Sequence, residues 1–220
     1  IGTPFLEESK LFNTALVIQK GKILHKHHKM ALPNYGVFDE KRVFKSGNKY
    51  NTIKYKGFKL GLLICEDMWF SSLPLHLKKD GADIFICINA SPYETEKLPK
   101  RISIASRIVK KTKIPLLYIN QFGGQDELVF DGNSFFMNID GNLLEKCSPW
   151  KEEIKVINFP YNKTKKPFLF SIFNPFSIIW IWIFWCFLIL NWSILRVTSG
   201  FLLNVPSALQ GASNKIELYF

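Results

Sequence analysis

A cysteine closes an apolar run and stands ahead of two acids in Gly61-Leu62-Leu63-Ile64-Cys65-Glu66-Asp67-Met68-Trp69. Small and branched apolar residues in a row predict a buried strand over Phe58–Cys65. A thiol at the tip of such a strand sits where the chain must turn. That turn pushes it out of the core and toward a pocket, as a nucleophile elbow does for a serine. The chemistry open to it is nucleophilic attack. A thiol attacks as thiolate, so it needs a base or a positive neighbourhood. If it attacks a carbonyl, the oxyanion that forms needs hydrogen-bond donors.

Lys29 is the cation to weigh. It ends a strand-like segment and precedes Met30-Ala31-Leu32-Pro33-Asn34-Tyr35-Gly36-Val37-Phe38-Asp39-Glu40, a loop that can hold it near a pocket. Taken alone, it reads better as a surface lysine. His25, His27 and His28 flank Lys26 on the same segment and are read as a solvated strand rather than a metal site. Glu66 and Asp67 are poor bases for their sequence neighbour. They are read as caps for the following turn or partners of nearby cations. Cys87 lies inside an apolar run and reads as core. Cys147 and Cys186 have no supporting context.

Several elements must position these groups. Asn13–Gln19 and Lys22–His28 form a hairpin around Lys20-Gly21. Ser71–Asp80 is a short helix with a serine cap, ended by Gly81. Ala82–Ala90 and Ile114–Asn120 are buried strands. Glu96–Lys113 is a helix with Leu98, Ile102, Ala105 and Val109 on one face and Pro99 in its first turn. Ser134–Asp140 and Leu143–Glu145 form a hairpin around Asp140-Gly141. Buried strands separated by helices predict an α/β layered fold.

Composition narrows the function classes. The net charge is +11 over 220 residues, yet the lysines are scattered through polar connections or alternate with apolar residues. That is a solvated surface, with no nucleic-acid motif. Four widely spaced cysteines make neither a disulfide framework nor a zinc pattern and fit a reducing compartment. No secretory signal is read at Ile1. The chain begins in mid-pattern, so a truncated reading frame is expected.

Composition shifts near Pro167. Pro167–Leu195 has no charged residue and carries Trp180, Trp182, Trp185 and Trp192. It is long enough to span a bilayer. With Lys163, Lys165 and Lys166 before it, the main domain would face the cytoplasm. Residues 161–220 are therefore set apart from a domain over 1–160. The tail is read as a frameshift product, as a transmembrane helix over 168–195, or as a buried helix.

Four ordered segments carry a resemblance: K-x-x-L-P-N-Y-G-V-F-D-E, L-I-C-E-D-M-W, N-A-S-P-Y-E-T-E-K and G-G-Q-D-E-L-V-F-D-G-N-S-F. Over roughly residues 1–160 they resemble the carbon–nitrogen hydrolase (nitrilase) superfamily, more closely the glutaminase domains of glutamine-dependent NAD⁺ synthetases. The resemblance implies an α-β-β-α sandwich, with two such domains packing into a four-layer homo-oligomer. It implies Cys65 as nucleophile and Lys29 as the oxyanion-stabilising lysine. It also implies Tyr35, Ser91 and Lys97 as glutamine contacts, with Phe38 and Glu40 lining the same pocket. No cofactor or metal is implied for this domain. ATP would belong to a synthetase domain, whose Ser-Gly-Gly-x-Asp-Ser loop does not occur after residue 160.

One departure stands out. The family's general-base glutamate lies well upstream of its lysine, and Glu7 and Glu8 are too close to Lys29 to match it. The expectation is an inactive or barely active chain. A stand-alone amidase or nitrilase of another specificity, and a membrane-anchored, non-catalytic relative, are the competing readings.

Overall fold

A computed structural model describes residues 1–159 and 168–174 of the chain. The first three strands, β1 (Gly2–Glu7), β2 (Lys10–Gln19) and β3 (Lys22–His28), form an antiparallel meander. A second sheet has six strands: β4 (Ile53–Tyr55), β5 (Phe58–Ile64), β6 (Ile84–Asn89), β7 (Leu116–Asn120), and, beyond the small hairpin β8 (Phe122–Gln125) and β9 (Leu128–Asp131), β10 (Phe135–Met137) and β11 (Leu143–Lys146). Their spatial order is β11-β10-β7-β6-β5-β4. The three central strands β5, β6 and β7 run parallel, with Leu63 beside Cys87 and Cys87 beside Tyr118.

The sequence of these strands explains their place. A parallel strand covered on both faces reads as a nearly continuous apolar run. Leu60, Leu62 and Ile64 of β5 pack with Ala15 and Val17 of β2, so one core lies between the two sheets. Leu63, Phe85, Cys87, Leu116 and Tyr118 look the other way, onto two helices, α2 (Ser72–Lys79) and α3 (Lys97–Thr112). Among the described residues the layering is α-β-β. The four-residue helix α1 (Glu40–Val43) belongs to the loop after β3.

The expected elements are present, with adjustments. The buried face of α3 is Arg101, Ile104, Ala105, Ile108, Val109 and Thr112. The face expected from Leu98 and Ile102 is rotated, because those two are only partly covered. Ser71 makes no capping hydrogen bond to α2; its hydroxyl instead accepts from Lys111 Nζ at 3.2 Å. Gly81, at φ +83°, does end that helix.

The tail begins differently from the expected helix. Phe168–Asn174 is a strand, β13, paired antiparallel with β12 (Glu153–Phe159). The helix that one reading places over 168–195 is therefore replaced by strand at its start, and the rest of that segment lies outside the described residues. Among the described residues no helix is long and apolar enough to cross a membrane.

Candidate active site at the ends of the parallel strands

Strands β5, β6 and β7 end side by side, and the residues that follow are Cys65, Ala90-Ser91 and Gln121. The carboxyl edge of parallel strands is where loops are free to build a site. Cys65 enters this edge with φ +44° and opens a 3-10 turn, Cys65–Met68. Holding a non-glycine residue in the left-handed region costs about 1–2 kcal/mol. The backbone is bent against its preference at the candidate nucleophile. Burial pushes the Cys65 thiol pKa up, the Lys29 charge pulls it down, and Glu66, Glu40 and Asp67 add to the rise. The resting group is thus a thiol, and its proton must leave as it attacks.

Lys29 arrives from the other sheet. It follows β3 and is only 2% exposed. Its backbone N–H donates to Asn13 O at 2.7 Å and its carbonyl accepts from Gly47 at 2.8 Å. Gly47 lies so close to the His28 backbone that a Cβ there would collide with it, which accounts for the glycine. The Lys29 ammonium donates to Glu40 Oε1 at 2.5 Å. Glu40 opens α1, so the loop from Met30 to Asp39 returns its end to the residue at which it began.

The two acids after Cys65 are both taken up. Asp67 Oδ1 accepts from the backbone N–H groups of Met30 and Ala31, at 3.0 and 2.9 Å. Its Oδ2 accepts from Ile64 N–H at 3.0 Å and lies 3.1 Å from His27 Nε2. Glu66 accepts the Tyr35 hydroxyl on both oxygens at 2.9 Å. The Tyr35 ring is 55% exposed and meets Phe38 edge-on at 6.0 Å. Desolvation, then the Glu66 hydrogen bond and charge, push the Tyr35 phenol up to about 12.

The segment after β6 is fixed by a buried arginine. Arg101 donates through Nε to Ser91 Oγ at 3.1 Å, and through one terminal nitrogen to the carbonyls of Ser91 and Pro92 at 2.8 and 2.9 Å. Its other terminal nitrogen donates to both oxygens of Asp131. Asn120 closes the same network, accepting from Ser91 N–H at 2.9 Å. Ser91 is buried, so the hydroxyl expected at a ligand is turned toward Arg101. Lys97, at the start of α3, donates to Glu94 at 2.8 Å. Its ammonium and that of Lys100 lie 5.9 and 5.2 Å from the ring of Trp69, just after the Cys65 turn.

Sequence reading missed part of this. His27 is not on a solvated strand: it is 3% exposed and held by Asp67. His28 lies between Thr14 and Glu7, at 2.8 and 2.7 Å, and stacks on Phe12. Glu7 is spent on Lys26 and His28. Arg101, Asp131 and Asn120 were passed over altogether; the one available signal was an arginine at a position of α3 whose neighbours in helical spacing are apolar. Among the described residues no cluster of three or more His, Cys, Asp or Glu side chains could hold a metal ion.

A thiol at a strained strand end, a buried lysine–glutamate pair beside it and a parallel-strand edge between two packed sheets define a class. The carbon–nitrogen hydrolase family model matches residues 1–165, and the chain belongs to that family. Its curated relatives include glutamine-dependent NAD⁺ synthetases. That of Acinetobacter baylyi is 40% identical over 153 residues, covering 70% of this chain and 28% of the relative. That of Thermotoga maritima is 37% identical over 152 residues, covering 67% of this chain and 26% of the relative. The chain thus spans little more than a quarter of the length of these relatives. Among solved structures, the Acinetobacter baumannii glutamine-dependent NAD⁺ synthetase in complex with ADP superposes with a TM-score of 0.67 at 38% identity, over 69% of this chain and 29% of that one. A carbon–nitrogen hydrolase from Helicobacter pylori, at 23% identity and TM-score 0.60 over 84% of this chain and 64% of that one, shares the fold.

Proposed function

We propose that this site is built to hydrolyse the side-chain amide of glutamine, releasing ammonia. The observation that carries the reading is the buried Lys29 ammonium, locked to Glu40 and acting on the Cys65 sulfur. In the reaction the Cys65 sulfur bonds to the amide carbon and the carbonyl oxygen becomes an oxyanion, which Lys29 and a backbone N–H of the turn stabilise. The carbon–nitrogen bond breaks, ammonia leaves with the added proton, and a glutamyl thioester remains. Water then attacks the thioester, releasing glutamate and restoring the thiol.

The amino-acid end of glutamine needs groups of both signs. Lys97 supplies a cation for the carboxylate, and Glu66, with Tyr35, an acceptor for the ammonium. Phe38 lines the loop that carries Tyr35. Ser91 contributes through the segment that Arg101 anchors.

The proton is the weak point of this chain. Glu40 is engaged by Lys29, Glu66 by Tyr35, and Asp67 by its own donors. None is placed to shuttle a proton to the leaving ammonia, so this chain alone is inactive or barely active. In a longer protein the ammonia would pass to a synthetase domain using ATP.

The test is covalent. A glutamine-shaped diazoketone, 6-diazo-5-oxo-L-norleucine, should alkylate Cys65, mapped by mass spectrometry, and L-glutamine should protect it while propionamide should not. Equal protection by both amides would favour an amidase of another specificity. No alkylation of Cys65 by a reagent that modifies Cys65 after unfolding would defeat the reading.

A further inference from the structure

Asp67 is almost wholly buried and its four partners form a pattern. Two are the backbone N–H groups that directly follow Lys29, one is the side chain two residues before Lys29, and the last is the N–H that directly precedes Cys65. One carboxylate therefore grips both sides of the lysine and the near side of the nucleophile. These belong to different sheets, and strand pairing does not fix the distance between them. A carboxylate accepting several N–H bonds is a rigid junction.

We propose that Asp67, held by His27, is the positioning residue that sets the Lys29 ammonium against the Cys65 sulfur. It does not touch the substrate; it acts through the two residues it ties together. This deepens the hydrolytic reading and rests on Cys65 and Lys29 being its working pair. The charged and titratable groups that act on Cys65 are Lys29 from the end of β3, Glu40 from α1, Glu66 and Asp67 from its own turn, Cys87 from β6, Tyr35 from the loop and Tyr118 from β7. Lys29 is the cation among them whose charge lowers the thiol's pKa.

The experiment measures the rate at which iodoacetamide alkylates Cys65 across pH, read by mass mapping on the whole 220-residue chain. Lys29→Met should slow alkylation at pH 7.5 by about tenfold, the effect of roughly one pKa step. Asp67→Asn, which keeps the shape, also removes a charge that raises the Cys65 pKa. If Asp67 holds Lys29 in place, the loss of the aligned ammonium outweighs that relief, and alkylation slows about three- to tenfold with the pH midpoint moving upward. The double variant should be no slower than Lys29→Met, because Asp67 works through the lysine. A purely structural role predicts an unmoved or lowered midpoint in folded Asp67→Asn, or additive effects in the double variant, and either result overturns the proposal. If Asp67→Asn does not fold, His27→Leu carries the test. It should move the midpoint in the same direction, and His27→Gln, which keeps an N–H donor, should restore it; an unmoved His27→Leu overturns the proposal. The outcomes separate from those of the substrate reading. Lys29-dependent alkylation without protection by glutamine sinks glutamine as substrate and leaves the positioning role intact.

Discussion

Arg101 and Asp131 face each other in the interior, 30 residues apart in sequence, joined by N–H···O bonds of 2.8 and 3.0 Å. Every N–H group of the guanidinium is used, because its Nε and remaining terminal nitrogen hold Ser91 and Pro92. Removing one partner of a buried pair leaves the other charge without compensation. Arg101→Met should therefore destabilise the fold by about 3–5 kcal/mol. Urea denaturation followed by tryptophan fluorescence measures it. A loss under about 1 kcal/mol would mean the network is not holding the 91–94 segment.

The Lys29–Glu40 pair calls for a different comparison. Glu40→Gln strands a buried ammonium and should cost about 2–4 kcal/mol, since Glu40 keeps some access to water. Replacing both, as Lys29→Met with Glu40→Leu, should cost less than Glu40→Gln alone. Chemical denaturation of the three variants ranks them. If the double variant is the least stable, the pair contributes net stability and the desolvation argument fails here.

Tyr35 offers a spectroscopic handle. Its hydroxyl is held by Glu66 while its ring is largely in water, so Tyr35→Phe should change stability by under about 0.5 kcal/mol. Its phenol ionises at about 12. Glu66→Gln removes the adjacent negative charge and should bring that ionisation down toward the ordinary tyrosine range. An ultraviolet difference titration of Glu66→Gln against the parent, with Tyr35→Phe identifying the band, reads it directly. An unmoved titration would show that the Glu66 contact is not kept in solution.

Alkaline stability follows from the buried thiols. Burial pushes the Cys147 thiol up from its ordinary value of 9.0 to about 11, and raises the Cys87 thiol well above 9.0. In the unfolded chain these thiols lose their protons first. The stability they lend is whole below about pH 9 and is lost as pH rises toward 11, on the order of 2 kcal/mol from Cys147. Thermal unfolding between pH 8 and 11 should show that decline, and Cys147→Ala should flatten it. A decline of the same depth in Cys147→Ala would assign it to other groups.

The parallel strands and the Cys65 turn were legible because each is a local pattern. An apolar run such as Ala82–Ala90 has one low-energy fate, and a cysteine at the end of such a run announces its own turn. Lys29 and Tyr35 could be singled out from ordered motifs. The groups that hold the site together were not legible, because their partners are remote in sequence. Asp67 reads from sequence as a cap of its turn or a partner of a nearby cation, and it does accept the Ile64 N–H. Its bonds to Met30 and Ala31, 37 and 36 residues away, follow from the packing of one sheet on another. His27 looks solvated because Lys26 and His28 beside it are polar, whereas alternation along β3 puts it on one face with His25, where it is the buried residue of the strand. Arg101 on a lysine-rich helix reads as surface until Asp131 is brought beneath it.

The left-handed backbone at Cys65 has a consequence for selection. At φ +44° a glycine would be relieved of strain that any other residue must bear, so Cys65→Gly should be more stable than Cys65→Ala by about 1 kcal/mol although it fills less space. Differential scanning calorimetry of the two variants decides it. Conformational preference at this position thus favours the residue that cannot react, and a lineage released from the need for catalysis would drift toward glycine here while its strands stayed as they are.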